Sequence, residues 1–267
     1  MTFFACMCNQ PQHLARALAP ARAALVASGP IARWGLGSHQ GGEVLLARTP
    51  KPAADVDMYA AIGEISSDCV IGQAIAEADA GGVGGNDNTP PFRFRRWMYA
   101  QAARHPAPGD AWPGLGAAVE TLPEFVRRNM RGRTAAEAAF HVMLAMLHDQ
   151  GGLDDPNVPL ATTRDVFAAS QTLLRAALTK AGATGVLGNA AVSNGRTMLV
   201  ARAVDGDPLW LRRLSIQGEK TARDEAFRGV LLVSRAASLA EGFEEVPAGS
   251  VVMVARDLRV DIAPMPA

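Results

Sequence analysis

The sequence predicts an α+β fold in which two β-sheets lie between two helical layers. Three observations support this prediction. Strand patterns dominate the first hundred residues, amphipathic helical patterns follow over residues 122–182, and strand patterns return in the last third of the chain. A run of strands, then helices, then strands favours stacked sheets covered by helices over a regular alternation of single strands and helices.

The first strand pattern, residues 2–8, is apolar on both faces of the pleat, as in a strand that is covered on both sides. Helical spacing then runs over residues 11–29, and Pro20 is expected to divide this helix. Short β-rich runs between turn residues predict further strands at residues 33–39, 43–49, 68–75 and 97–103.

Helices are predicted where apolar side chains recur at helical spacing, at residues 122–130, 134–150 and 162–182. The later strand patterns lie at residues 184–194, 196–204, 208–216, 229–236 and 249–257, and the turn SNGR predicts a hairpin. The Pro- and Gly-rich residues 104–116 are predicted to form a surface loop. Because no long linker interrupts the pattern, we expect one domain over residues 1–267.

Composition narrows the classes of partner. The 267 residues carry 26 basic and 26 acidic side chains, so attraction to nucleic acid or to an anionic membrane is not expected, whereas zero net charge favours association with other protein chains. No continuous apolar stretch reaches the roughly 18 residues that a membrane helix needs. Three cysteines, an odd number without metal-type spacing, are expected to be buried thiols in a reducing compartment, which predicts a cytoplasmic protein.

Several motifs have a structural and a functional interpretation. His141 and His148 lie seven residues apart, but no other ligand type accompanies them at metal spacing, so no metal site is predicted. GGVGG lacks the Lys-Ser/Thr of a phosphate loop, and no cofactor is predicted. The runs FRFRRW (residues 92–97) and RRNMRGR (residues 127–133) are interpreted as solvated charged segments, with RNA binding as an alternative for the first.

Thr2 is a candidate nucleophile. If Met1 is removed, the hydroxyl of an N-terminal threonine can attack while its own α-amine acts as the base. Many chains begin Met-Thr, so the sequence leaves this role open.

Several segments together resemble the class II glutamine amidotransferases of the N-terminal-nucleophile hydrolase family, above all the small stand-alone branch of the ergothioneine-pathway amidohydrolase. RWGLG is similar to the family's GWG strand, CVIGQAI to GHxR, NTPPF to NTHPF, WMYAQAA to W-x-FAHNG, and GRTAAEAAF to the start of its TDSE helix. The resemblance spans nearly the whole chain. It implies a four-layer αββα sandwich of two mainly antiparallel sheets and a glutaminase pocket.

Carried over residue by residue, the resemblance places the family's catalytic cysteine at Thr2 and its two histidines at Gln73 and Gln101. The arginine that binds the substrate carboxylate falls on Ile75, and the aspartate that binds its amine falls on Ala135. The oxyanion donors fall at the end of the strand, on Ala102 and Ala103. Trp34 and Gly35 match the scaffold of the pocket.

These changes predict a degenerate site that no longer hydrolyses glutamine. Loss of one oxyanion donor typically costs about 3 kcal/mol of transition-state stabilisation, and an apolar wall replaces both charged anchors of a free amino acid. The leading hypothesis is therefore a structural, regulatory or scaffolding subunit, bound to a protein partner or to copies of itself. The alternative is an altered amidohydrolase that uses Thr2 on another amide.

Overall fold

Two antiparallel sheets stack face to face between two helical layers. The computed structural model describes residues 3–81, 83–103, 112–183, 187–216, 226–236 and 239–266. The strands of these residues are β1 (Phe3–Cys8), β2 (Val26–Gln40), β3 (Glu43–Thr49), β4 (Ala53–Asp57), β5 (Cys69–Ala76), β6 (Phe92–Phe94), β7 (Trp97–Ala103), β8 (Leu187–Ser193), β9 (Met198–Ala201), β10 (Leu209–Ser215), β11 (Arg228–Ser234), β12 (Glu244–Glu245), β13 (Ser250–Val254) and β14 (Val260–Pro264).

Helices cover the outer face of each sheet. They are α1 (Leu14–Leu18), α2 (Met58–Ile62), α3 (Trp112–Glu120), α4 (Glu124–Arg127), α5 (Ala135–Asp149) and α6 (Leu160–Lys180), with short 3₁₀ segments at Pro11–His13, Ala19–Leu25, Glu77–Asp79 and Asn86–Asn88.

The first sheet has the strand order β12-β10-β11-β1-β5-β2-β3, and β4 also pairs with β2. The second sheet has the order β14-β13-β9-β8-β7-β6. The N-terminal strand β1 therefore lies inside the first sheet, between β11 and β5. The hairpin predicted from SNGR is confirmed, since it joins the paired strands β8 and β9.

Three apolar clusters fill the spaces between the layers. One lies between the first sheet and α1 and α2, a second between the two sheets, and a third between the second sheet and α5 and α6. Strand β1 contributes Phe4 to the outer cluster and Phe3 to the inter-sheet cluster. The expected two dry faces of this strand and the predicted four-layer αββα sandwich are both confirmed.

Local predictions differ from the structure in two places. The helix predicted to reach Gly29 ends earlier, because α1 ends at Leu18, a 3₁₀ segment runs over Ala19–Leu25 and β2 begins at Val26. Gly29, with φ of 94°, lies where the pairing of β2 with β4 shifts register. The predicted loop over residues 104–116 is wrong at its end, since α3 begins at Trp112; residues 104–111 lie outside the described residues.

Cys6, Cys8 and Cys69 are all buried free thiols, as expected. No helix within the described ranges is long and apolar enough to cross a membrane. Among the same residues, no three His, Cys, Asp or Glu side chains lie together as a metal site would need.

Candidate functional site

The candidate site lies between the sheets at the start of β1. Phe3 pairs with Gln73 of β5 on one side and with Ser234 of β11 on the other, and both of these polar residues are buried. Thr2, the candidate nucleophile, lies outside the described residues but is joined directly to Phe3. The two neighbours of Phe3 in the ladder thus place a buried amide and a buried hydroxyl next to the N-terminal end of β1.

Four polar side chains, Gln73, Tyr99, Gln101 and Gln171, form what we call the amide network. The Tyr99 hydroxyl donates to Oε1 of Gln101 over 2.7 Å, and Nε2 of Gln101 donates to Oε1 of Gln171 over 2.8 Å and to the backbone oxygen of Gly188 over 3.2 Å. Nε2 of Gln171 returns a 3.3 Å hydrogen bond to the Tyr99 oxygen. The side-chain amide of Gln101 is therefore fully used within the protein.

Gln73 and Gln101 are joined by one hydrogen bond, from Nε2 of Gln73 to the backbone oxygen of Gln101 over 2.8 Å. Because side chains alternate along a strand, Gln101 lies with Tyr99 on the helix-covered face of β7, whereas Gln73 lies on the inter-sheet face of β5. Oε1 of Gln73 has no hydrogen-bond partner among the described residues. The polar atom of the pair that is left without a partner is therefore Oε1 of Gln73, which can accept a hydrogen bond but cannot donate one.

Three of the positions matched to the family's polar residues carry only hydrocarbon. Ile75 is half-buried on the same face of β5 as Gln73, and Ala102 packs against the inter-sheet cluster. Ala135 is buried at the first position of α5. Ala103 ends β7, where its backbone pairs with Leu187. None of these side chains can donate a hydrogen bond.

Arg33 is a buried cation that the sequence analysis missed. It pairs with Ile75 across the ladder between β2 and β5, and only 1% of its surface is exposed. Its Nε donates to the backbone oxygen of Asn88 over 3.0 Å and its Nη1 to that of Val83, while its Nη2 has no hydrogen-bond partner among the described residues. Burial lowers the pKa of this guanidinium.

The available signal for Arg33 was its alternation with Gly35 in the run RWGLG, which places both residues on one face of the strand. A Cβ atom on Gly35 would lie 2.4 Å from the backbone oxygen of Pro90. Glycine is therefore needed at this position of β2, where the segment that contains Pro90 packs against the strand. Trp34 lies on the opposite face and packs against the outer cluster.

Asn189 of β8 links the two sheets beside the start of β1. Its Nδ2 donates to the Ser234 hydroxyl over 3.1 Å and to the backbone oxygen of Asp207 over 2.7 Å, while its Oδ1 accepts from the backbone N–H of Ala203 over 2.9 Å. Asn189 is fully buried. A lone asparagine within an apolar strand was the sequence signal for this role.

The two basic runs meet at a second cavity, of about 850 Å³, which we call the arginine pocket. It lies beside the edge strands β3 and β6 and below the N-terminal half of α5. Its titratable lining residues are Glu43, Arg48, Asp87, Arg93, Arg95, Arg96, Arg128, Arg131, Glu137, His141 and Asp154. None of the described residues matched to the family's catalytic positions lines it.

No family model matches this chain. No curated protein matches it either.

Solved structures do match the chain. It is similar to a glutamine aminotransferase class-II domain protein from Silicibacter pomeroyi, with a TM-score of 0.61 and 16% identity over 99% of this chain and 100% of that one. It is also similar to a predicted glutamine amidotransferase from Pseudomonas aeruginosa, with a TM-score of 0.55 and 16% identity over 97% of this chain and 99% of that one. At these identities the likeness shows the fold, which is that of the class II glutamine amidotransferases.

A larger protein contains the same fold. Glutamine phosphoribosylpyrophosphate amidotransferase from B. subtilis matches with a TM-score of 0.52 and 10% identity. The match covers 100% of this chain but 49% of that one, so the chain spans about half the length of that enzyme.

Proposed function

We propose that this chain uses the class II glutamine amidotransferase fold without glutaminase activity, as a structural, regulatory or scaffolding subunit. The observation that carries the proposal is the chemistry of the inter-sheet site. Ile75 and Ala102 offer only hydrocarbon there. Ala135 packs in the cluster on the helix-covered side of the second sheet, and the amide of Gln101 on that same side is occupied by Tyr99 and Gln171. At the matched oxyanion position, Ala102 has no side-chain donor for the negative charge that a substrate amide would develop.

The energetic consequence is large. A missing oxyanion donor removes about 3 kcal/mol of transition-state stabilisation, which is roughly a hundredfold in rate. A free glutamine zwitterion would also exchange its hydration for the side chains of Ile75 and Ala135, which leaves its ammonium group without a partner. Both terms act against the same reaction, so hydrolysis of glutamine should be lost rather than slowed.

The edges of the sheets support a role in assembly. Edge strands present unpaired backbone groups that another chain can use. Leu45 lies on the edge strand β3 and Ile262 on the edge strand β14, and each is 45% exposed. We further propose that the whole chain acts as one domain in the cytoplasm, where its three thiols stay reduced.

The experiment is a glutaminase assay on the purified chain, with the Thr2→Ala variant as the matched control. We expect no glutamate above the level given by Thr2→Ala, and no shift of melting temperature when glutamine is added. Hydrolysis that disappears in Thr2→Ala would overturn the proposal. Native mass spectrometry of the protein isolated from its own host then tests assembly, and a monomer there would contradict the subunit role.

Arg33 favours a second candidate, an amidohydrolase that acts on an amide other than glutamine. In this reaction the Thr2 hydroxyl would attack the amide carbon and the Thr2 α-amine would accept the hydroxyl proton. The amide C–N bond would then break, the amine would leave with that proton, and water would hydrolyse the ester formed on Thr2 to release the acid. The substrate would be apolar where it meets Ile75 and would carry an acceptor for Nη2 of Arg33. Intact mass decides this candidate first, because a retained Met1 blocks the amine.

A further inference from the structure

The arginine pocket holds more positive charge than its own carboxylates neutralise. Six arginines and four carboxylates line it. Within the described part of the chain, Arg95 is the one lining arginine whose guanidinium lies within 4.0 Å of a carboxylate, that of Asp154. The other five lining arginines have no ion-pair partner among the described residues.

Two of these arginines are held in place by the backbone. Arg48 donates to the backbone oxygen of Pro91 over 2.6 and 3.2 Å and lies over the Phe92 ring, and Arg93 donates to the backbone oxygen of Val44 over 2.7 Å. A carbonyl partner orients a guanidinium but leaves its charge in place. Guanidinium groups held in this way are prepared for an anion, because little side-chain entropy remains to be lost on binding.

Three other lining arginines, Arg96, Arg128 and Arg131, have side chains with no hydrogen bond or ion pair to the described residues. Arg128 and Arg131 are exposed and Arg96 is half-buried. They belong to the two separate basic runs, which the fold brings to one cavity. Several guanidinium forks around one space match a multivalent oxyanion better than a single carboxylate.

The buried groups of α5 add a second recognition element. The Glu137 carboxylate is occupied by the backbone N–H groups of Arg131 and Gly132, over 2.9 and 2.8 Å. Nδ1 of His141 lies 2.9 Å from the backbone oxygen of Glu137, so Nδ1 carries the hydrogen and Nε2 is left as an acceptor. This Nε2 has no partner that meets hydrogen-bond geometry among the described residues, although His141 is only 2% exposed. Burial lowers the pKa of the ring, against the raising effect of the Glu137 and Asn129 backbones, which favours the neutral form with an acceptor at Nε2.

We propose that the arginine pocket binds a small phosphate ester that carries hydroxyl groups, such as a sugar phosphate or a nucleotide. The phosphate would lie against Arg96, Arg128 and Arg131, and a hydroxyl would donate to Nε2 of His141. The volume of about 850 Å³ is ample for such a ligand. This site is independent of the inter-sheet site and of any glutaminase activity.

Isothermal titration calorimetry at low ionic strength tests the proposal with glucose 6-phosphate, AMP and citrate as probes. We expect saturable binding of at least one phosphate ester and weaker binding of citrate. Arg128→Gln should weaken the phosphate ester about tenfold or more, since a charge-assisted hydrogen bond is lost. Arg127→Gln is the matched control, because Arg127 lies on the same segment, is exposed and does not line the pocket.

Other outcomes would overturn the proposal. Equal effects of Arg128→Gln and Arg127→Gln would mean that the probe binds through general charge. If citrate binds as tightly as the phosphate esters, the pocket does not select a phosphate group and the proposal fails. Binding of single-stranded RNA with no binding of either phosphate ester would show that the basic surface serves a nucleic acid. An unchanged melting temperature of Arg128→Gln confirms that the fold is intact.

Discussion

The amide network and the arginine pocket both border α5, yet they treat polar groups in opposite ways. Phe140 of α5 stacks on Tyr99 of the network with ring centroids 5.2 Å apart, and the next residue, His141, lines the pocket. Nearly every polar atom of the network is bonded within the protein, whereas most cations of the pocket have no anionic partner among the described residues.

This difference separates polar groups that hold the fold from polar groups that are available to a ligand. A buried amide with internal partners stabilises the native state, because removing it leaves those partners unsatisfied. A half-exposed arginine without a partner adds little to stability, and its removal should change binding alone. Substitutions in the two regions should therefore affect different measurements.

The largest effect is expected for Gln101→Ala. This change takes away the acceptor of the Tyr99 hydroxyl and the donor to Oε1 of Gln171 in a buried space and opens a cavity, so the free energy of unfolding should fall by about 4 kcal/mol. Urea denaturation measures it. Gln40→Ala, at an exposed position of β2, is the control and should change stability by less than about 0.5 kcal/mol. A similar fall in the free energy of unfolding of both variants would show that the amide network does not stabilise the fold more than an exposed glutamine does.

The next effect is a dependence of stability on pH that originates at Glu137. Burial raises the pKa of this carboxyl from 4.5 to about 7, against the lowering effect of its two backbone N–H partners and Arg48. Between these values the native state keeps a proton that the unfolded chain has lost. Stability should therefore fall as pH rises from about 4.5 to about 7, by about 3 kcal/mol in total.

Urea unfolding of the wild type and of Glu137→Gln across this pH range isolates the contribution of Glu137, since the other groups titrate in both proteins. The wild type should lose stability relative to the variant as pH rises. A constant difference, or one that grows in favour of the wild type at high pH, would show that the carboxyl is ionised in the native protein throughout.

A smaller effect is expected at the start of α5, between the two regions. The Thr134 hydroxyl accepts the backbone N–H of Glu137 over 3.1 Å and so caps the helix that carries Glu137 and His141. Thr134→Ala should lower the free energy of unfolding by about 1 kcal/mol. Thr121→Ala, where an exposed hydroxyl bonds the backbone oxygen of Ala118, is the control and should be nearly neutral. Calorimetric melting of both variants checks the ranking.

The sequence predicted the layers better than the sites. Dry strands, amphipathic helices and the SNGR turn are local patterns, and each was sufficient to place β1, α5 and the hairpin of β8 and β9. Short elements such as β12 and β14 escaped prediction because two to five residues carry too little periodicity. The extent of the N-terminal helix was missed because tertiary pairing of β2 with β4 overrides helical spacing.

The sites depend on contacts that no local pattern contains. Alternation along β5 and β7 could place Gln73 and Gln101 on opposite sides of their sheets, but the bond of Gln101 to Gln171 joins residues 70 positions apart. In the same way, the two basic runs gave no sign that they share one cavity. The burial of Arg33 was not predictable either, because its partners are the backbone oxygens of Val83 and Asn88, at least 50 positions away.

The smallest effect concerns Arg95, the one arginine of the pocket with an ion pair in the described chain. Its φ of 52° is unfavourable for a side chain, its ion pair with Asp154 is exposed, and it lies over the Phe94 ring. Arg95→Ala loses the exposed contacts and keeps the backbone strain, so stability should fall by only about 0.5 kcal/mol. Arg95→Gly loses the same contacts but relieves the strain, so it should be more stable than Arg95→Ala by about 1 kcal/mol. If urea denaturation finds the alanine variant more stable than the glycine variant, backbone strain at residue 95 is not what limits stability. The distinction between polar groups that hold the fold and polar groups that are available to a ligand would then fail at this residue.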